Sequence, residues 1–223
     1  MYEGMVSPDK SHFITGVIIM FDKKNIPELY RRMKELGYID SSSEQFVWMD
    51  DMEWMDYDEV INYEYEEGES HDILPFAFTG GGDKWVFVGN DTTEPYIGRC
   101  YGGEAEGEYC ARNLEDAIFR DIIEFASSSC IMIGSDGKIG TVFFSEEQVR
   151  DSLRDYLKIY EGLLCNEYLE VIRNLSTLQF KKCGFAESQW YALLSPEEEK
   201  ELIGRYLDFE LMDKTFEWFP EDM

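Results

Sequence analysis

Apolar positions along this chain change period several times, and each change marks an element. "NIPELYRRMKELG" (25–37) places Leu29, Met33 and Leu36 on one helical face. Asn25 suits a cap, Pro27 a first turn and Gly37 the left-handed residue that ends a helix, so the stretch predicts a helix over 26–36. "FITGVIIMF" (13–21) is β-branched and aromatic and reads as a buried strand, and "EQFVWM" (44–49) as a short one. "DYDEVIN" (56–62) reads as one or two helical turns, with acids where the helix dipole favours them. "LPFAF", "KWVFVG", "YIGRCY" (96–101) and "GEYCARN" (107–113) are apolar runs separated by short polar or Gly-rich turns, the pattern of an antiparallel meander.

"NLEDAIFRDIIEFASS" (113–128) returns to helical spacing, with Asn113 as cap and Leu114, Ala117, Ile118, Ile122 and Phe125 on one side. "CIMIG" and "IGTVFF" flank the turn "SDGK" and read as a hairpin. Ser145 with Gln148 forms a capping box that opens a helix to about Tyr160, and 166–175 reads as a second helix. Ser195, Pro196 and Glu198 open a third, from 196 to about 208. Between Leu178 and Leu194 the pattern fits neither period. The order of elements predicts an α+β fold, a mainly antiparallel sheet flanked by helices. The expected division is an α+β domain over 1–144 and a mostly helical extension over 145–223, packed on it.

Composition adds bounds. Hydrophobic residues make up 44% of the 223, enough for a sizeable core. No stretch reaches the roughly 20 apolar residues that span a bilayer. The run at 13–21 lacks the basic flank and cleavage site of a signal peptide, so a cytoplasmic protein is expected. Five cysteines without a C-x-x-C, and only two histidines, predict buried free thiols and no metal site.

Charge changes the picture most. With 47 acidic against 20 basic residues, the net charge is −27. Such a surface repels nucleic acid and anionic membranes and attracts basic proteins. From Asp40 to Asp72 there are 13 acids and no Lys or Arg, interleaved with Phe46, Trp48, Trp54, Tyr57, Tyr63 and Tyr65. A folded acidic face with aromatic anchors is expected rather than a solvated tail. Its partner-binding candidates are Asp50, Asp51, Glu53, Asp56, Tyr57, Asp58 and Glu59, with Trp48 and Trp54 expected in the core.

The three glycines Gly80, Gly81 and Gly82 raise the question of a phosphate loop. They lead into "DKWVFVG", a strand, where such a loop requires a helix N-terminus. The glycines are therefore read as a tight turn or close backbone approach, locked by Asp83 through neighbouring amides. No cofactor is expected and a small-molecule ligand is disfavoured. No catalytic Ser-His-Asp order, HExxH or calcium loop occurs, and the surplus of carboxylates leaves a hydrolase only as a minor alternative.

"LPFAFTGGGDKWVF", together with "FVWMDDMEWMDYDEVINY" before it and "GEYCARNLEDAIFRDIIEFAS" after it, resembles the hallmark of the SUKH superfamily over roughly 44–130. That superfamily includes yeast cell-wall-synthesis regulators and many bacterial immunity proteins. The resemblance implies a non-enzymatic protein-binding fold, with Pro75, Gly80, Gly81, Gly82, Asp83 and Trp85 as fold-defining positions. It implies an immunity protein that neutralises a toxin, many such toxins being nucleases. A regulatory or scaffold role in cell-wall assembly is the alternative.

Overall fold

Strand alternation sends successive side chains to opposite faces of a sheet, and here both faces are apolar enough to be covered. The computed structural model describes residues 21–89, 94–128, 130–134, 137–185 and 188–219. The strand expected at 13–21 lies outside the described residues except for Phe21, whose ring stacks on Phe87. The architecture is α+β, built on two antiparallel sheets.

The larger sheet has six strands: β1 (Glu53–Trp54), β2 (Ile73–Phe78), β3 (Lys84–Val88), β4 (Tyr96–Cys100), β5 (Glu106–Ala111) and β10 (Thr215–Glu217). They lie side by side in the order β1-β2-β3-β4-β5-β10. β2 to β5 form the expected meander. Pro75 sits at an irregularity in the β2–β3 register, where a missing N–H is tolerated. On one face Leu74, Phe76, Trp85, Phe87 and Ile97 meet helix α3 (Leu114–Ser127) and α1 (Glu28–Glu35) in the main core. On the other face Ile73, Val86, Val88 and Cys100 form a smaller cluster with Trp218, which is carried in by the β10 segment.

Phe216 of β10 explains two glycines. A Cβ on Gly107 would lie 2.6 Å from the Phe216 ring and 2.9 Å from the Arg99 carbonyl, and a Cβ on Gly98 would overlap the same ring. The close approach that the sequence suggested for the triple glycine is found here instead. At Gly80 and Gly81 a Cβ would meet only ordinary contacts, and of the three only Gly82 has a positive φ, +90°.

The smaller sheet is built from β6 (Ile131–Ile133), β7 (Ile139–Val142), β8 (Lys181–Phe185) and β9 (Ser188–Ala192), in the order β7-β6-β9-β8. It takes two strands from before residue 144 and two from after it. The predicted hairpin is its β6–β7 pair, and the stretch that fitted neither period supplies β8 and β9. The helices α2 (Tyr57–Ile61), α4 (Glu146–Ile159), α5 (Asn166–Leu175) and α6 (Pro196–Tyr206) complete the fold. The capping boxes at Ser145/Gln148 and Ser195/Glu198 form as read, and a third joins Asp56 to Glu59. Cys100, Cys110, Cys130 and Cys183 are buried free thiols, and Cys165 is exposed.

Residues 44–49 form no strand. Glu44 and Gln45 lie in a turn, Val47 donates to the Tyr38 carbonyl, and the side chains of 46–49 alternate. Val47 and Met49 point into the core, whereas Phe46 and Trp48 point outward. Trp48, expected inside, is 43% exposed and only leans on Phe125 and Phe144, while Trp54 is buried as expected.

Candidate protein-binding face

Three consecutive residues after the glycines each tie down a different segment. Asp83 Oδ1 accepts from the Gly102 amide at 3.0 Å, which joins the β2–β3 turn to the β4–β5 turn. It does not bond its neighbours as expected; Thr79 Oγ1 does that, accepting from the amides of Gly81 and Asp83. Lys84 points to the opposite face from Trp85, as alternation requires. Its Nζ lies 3.1 Å from Glu69 and 2.8 Å from the Tyr63 hydroxyl, with the Trp218 ring 5.2 Å away. The Glu69 side chain is fully buried and receives Tyr63 OH and the Glu66 amide, so the buried pair is saturated with partners. Burial works against the charge on Lys84, but Tyr63 and Glu69 outweigh it and hold its pKa up.

Trp85 turns to the helix side. Its Nε1 donates to the Asp51 carbonyl at 2.6 Å, and the Arg99 guanidinium stands 4.2 Å over its ring from the directly opposite position on β4. Arg99 lies 3.0 Å from Asp51 and 3.6 Å from Glu124; both contacts are ion pairs rather than aligned hydrogen bonds. The Asp51 amide donates to Asp121 Oδ1 at 3.3 Å. Thus "GGGDKW" is a clasp: one residue for the turns, one for the 63–69 loop, one for the acidic loop at 50–52.

This clasp divides the seven predicted binding residues. Asp50 and Asp51 face inward, half-buried over Asp121 on α3. Burial raises both carboxyls, aided at Asp50 by Asp51, and at Asp51 the Arg99 charge only partly opposes it. Asp121, 1% exposed, is pushed well up by burial and then by Glu124, Asp50 and Asp51. Asp56 is occupied as the cap of α2, with Glu59 bonding back to the Asp56 amide. Glu53 is exposed on β1.

The open part of the acidic face is a groove of about 360 Å³ between the end of α1 and the start of α2. Asp58, Glu59 and Asp40 are exposed around it, and Tyr57 and Lys34 line it. Tyr57 is held by stacking on Tyr30 at 6.0 Å and carries Lys34 Nζ 5.5 Å above its ring. Two hydrogen bonds from Ser42 keep the Asp40 carboxyl low, so it stays charged. The sequence reading missed Lys34 and Asp40 as groove residues; the only signal for them was their position in the last turn of α1 and just after the 36–39 turn.

Among the described residues no group of three His, Cys, Asp or Glu could hold a metal ion, and no helix is long and apolar enough to cross a membrane. Compared with protein-family models, with curated proteins and with solved structures, the chain finds no match.

The inward carboxylates make a pH prediction. A carboxyl that holds its proton more tightly when folded loses stability as pH rises from the unfolded value, about 3.9, toward the raised folded one. Asp121→Asn keeps an acceptor for the Asp51 amide and removes the charge. It is expected to raise stability at pH 7 by on the order of 1–2 kcal/mol and to flatten the decline above about pH 4. Urea melts at several pH values check this, and an unchanged slope would assign the decline to other groups.

Proposed function

We propose that this chain is a non-enzymatic protein-binding module of the immunity type, which neutralises a basic toxin domain by seating it on the acidic face around α2. The observation that carries this reading is the distribution of charge: 13 acids and no Lys or Arg between Asp40 and Asp72, in a chain of net charge −27. Asp40, Asp58 and Glu59 rim a groove in which Lys34 already stands over the Tyr57 ring, so the three carboxylates are what the groove offers to an arginine or lysine of a partner. The SUKH-like hallmark supports the reading, since its residues act as a clasp that fixes the loops of this face. The inward carboxylates support it too, because Asp121 is sealed from solvent rather than offered to a substrate.

The test is calorimetric titration against the toxin domain encoded beside the gene. Tight binding that weakens steeply with salt is expected. Reversing Asp40, Asp58 and Glu59 to Lys, all exposed positions, is expected to lower affinity at least about 100-fold, or ~2.7 kcal/mol; the variant also loses the Ser42 bonds to Asp40 and the Glu59 half of the α2 capping box, so its melting temperature falls while it stays folded at the titration temperature, which a circular dichroism melt checks. Absence of binding at low salt would overturn the reading.

A further inference from the structure

Six large apolar side chains are exposed among the described residues, and five of them fall in two segments: Phe46 and Trp48 in one, Ile139, Val142 and Phe143 in the other. Phe143 is 60% exposed and Trp48 43%. The Trp48 ring packs on Phe144 at 5.8 Å, so the two segments meet just past the end of β7. Alternation puts Phe46 on the same outward side as Trp48. Single apolar residues are ordinary on a protein surface, but a contiguous patch with a polar border marks a contact site.

The border says what the patch takes. Glu44 stands two residues before Phe46 and Glu147 four residues after Phe143, and both are exposed. Glu146 is paired with Arg150. Lys138 precedes Ile139 at the far end of β7, so the acid-bordered centre of the patch is Phe46, Trp48 and Phe143. Carboxylates around an apolar centre are complementary to a surface that carries apolar side chains within a border of Lys or Arg.

The patch is also continuous with the acidic groove. Asp40 on the groove rim and Phe46 are six residues apart, at most about 20 Å of chain. Two turns shorten that span, with the Ser43 amide donating to the Asp40 carbonyl and the Phe46 amide to the Ser43 carbonyl. A standard interface of about 800 Å² per partner, roughly 30 Å across, is wide enough to cover both.

We propose that the basic partner of the acidic groove also rests an apolar centre on Phe46, Trp48 and Phe143, an inference that stands on the function read above. The two halves of the contact then govern different rates. The carboxylates steer the encounter and set how fast the complex forms. The aromatics lose water on contact and set how long it lasts.

Surface plasmon resonance of the full chain against the toxin domain encoded beside the gene separates the two. Phe143→Ala, at a site 60% exposed, is expected to raise the dissociation rate at least about tenfold. The association rate, its salt dependence and the circular dichroism melt are expected to stay unchanged. Adding Trp48→Ala is expected to bring the increase to about 100-fold, whereas reversal of Asp40, Asp58 and Glu59 acts chiefly on association. Fluorescence gives a second readout. Of the five tryptophans only Trp48 is exposed, so it is expected to carry most of the acrylamide quenching of the free chain, and Trp48→Phe measures its share. In the complex that share is expected to disappear. A tight complex whose dissociation rate ignores both alanines, or one that leaves Trp48 open to the quencher, overturns this inference and leaves the acidic-face reading standing. No binding by the wild type overturns both.

Discussion

Trp85→Ala is expected to cost about 3–5 kcal/mol, as truncation of a large buried aromatic does. The indole is completely buried, which supplies most of that cost. Two further losses follow from the geometry. The Asp51 carbonyl loses its donor, and Arg99 loses the ring beneath its guanidinium while still facing Asp51 and Glu124. Against a typical total of about 5–15 kcal/mol, this is a large fraction. Trp85→Phe separates the contributions. It keeps a ring for Arg99 and most of the packing but leaves the carbonyl unpaired, so about 1–3 kcal/mol is expected. Urea denaturation of both variants makes the comparison. If the phenylalanine variant proves as unstable as the alanine one, the hydrogen bond to the acidic loop outweighs the packing, and burial of the ring is not what makes Trp85 costly to lose.

Gly107→Val is expected to cost about 3 kcal/mol and to loosen the segment 215–218. The new side chain must displace Phe216, and it also meets the Arg99 carbonyl, which cannot yield as a side chain can. Displacing Phe216 unpairs β10 from β5 and pulls Trp218 from its cluster with Ile73, Val86, Val88 and Cys100. Tryptophan fluorescence should therefore shift below the main unfolding transition. Adding Phe216→Ala is expected to recover part of the loss, since the ring clash is gone and the backbone clash remains. Additive effects in that double-mutant cycle would show that the two residues do not touch.

Much of the fold was legible because its signals are local. Asn113, Ser145 and Ser195 announce their helices within four residues, and the apolar runs of β2 to β5 are bounded by their own turns. β8 and β9 were not legible. "KKCGF" has no alternation of its own, and it becomes a strand because β9, held on its other side by β6, offers it a ladder. β10 is three residues long, and a partner more than 100 positions earlier defines it. The acidic face was legible as composition but not as direction. Asp50 and Asp51 turn inward because Arg99, Trp85 and Asp121 wait there, and none of these is near them in sequence. Asp58 and Glu59 face out because the same short helix buries Val60. Trp48 was misplaced for a related reason: a tryptophan in an apolar run looks like core until the period-two phase of 46–49 is known.

The position of β10 bears on how the chain acquires its shape during synthesis. The six-stranded sheet takes its last strand from Thr215–Glu217, and the Trp218 indole donates to the Glu104 carbonyl. Until Thr215–Glu217 has left the ribosome, β5 is an unprotected edge and the Ile73–Val88 side of the sheet is wet. Closure is then a single late event over a long loop, which is slow compared with helix formation. The nascent chain passes through an interval in which the β5 edge is bare, the state in which strand pairing with another chain is most open to it.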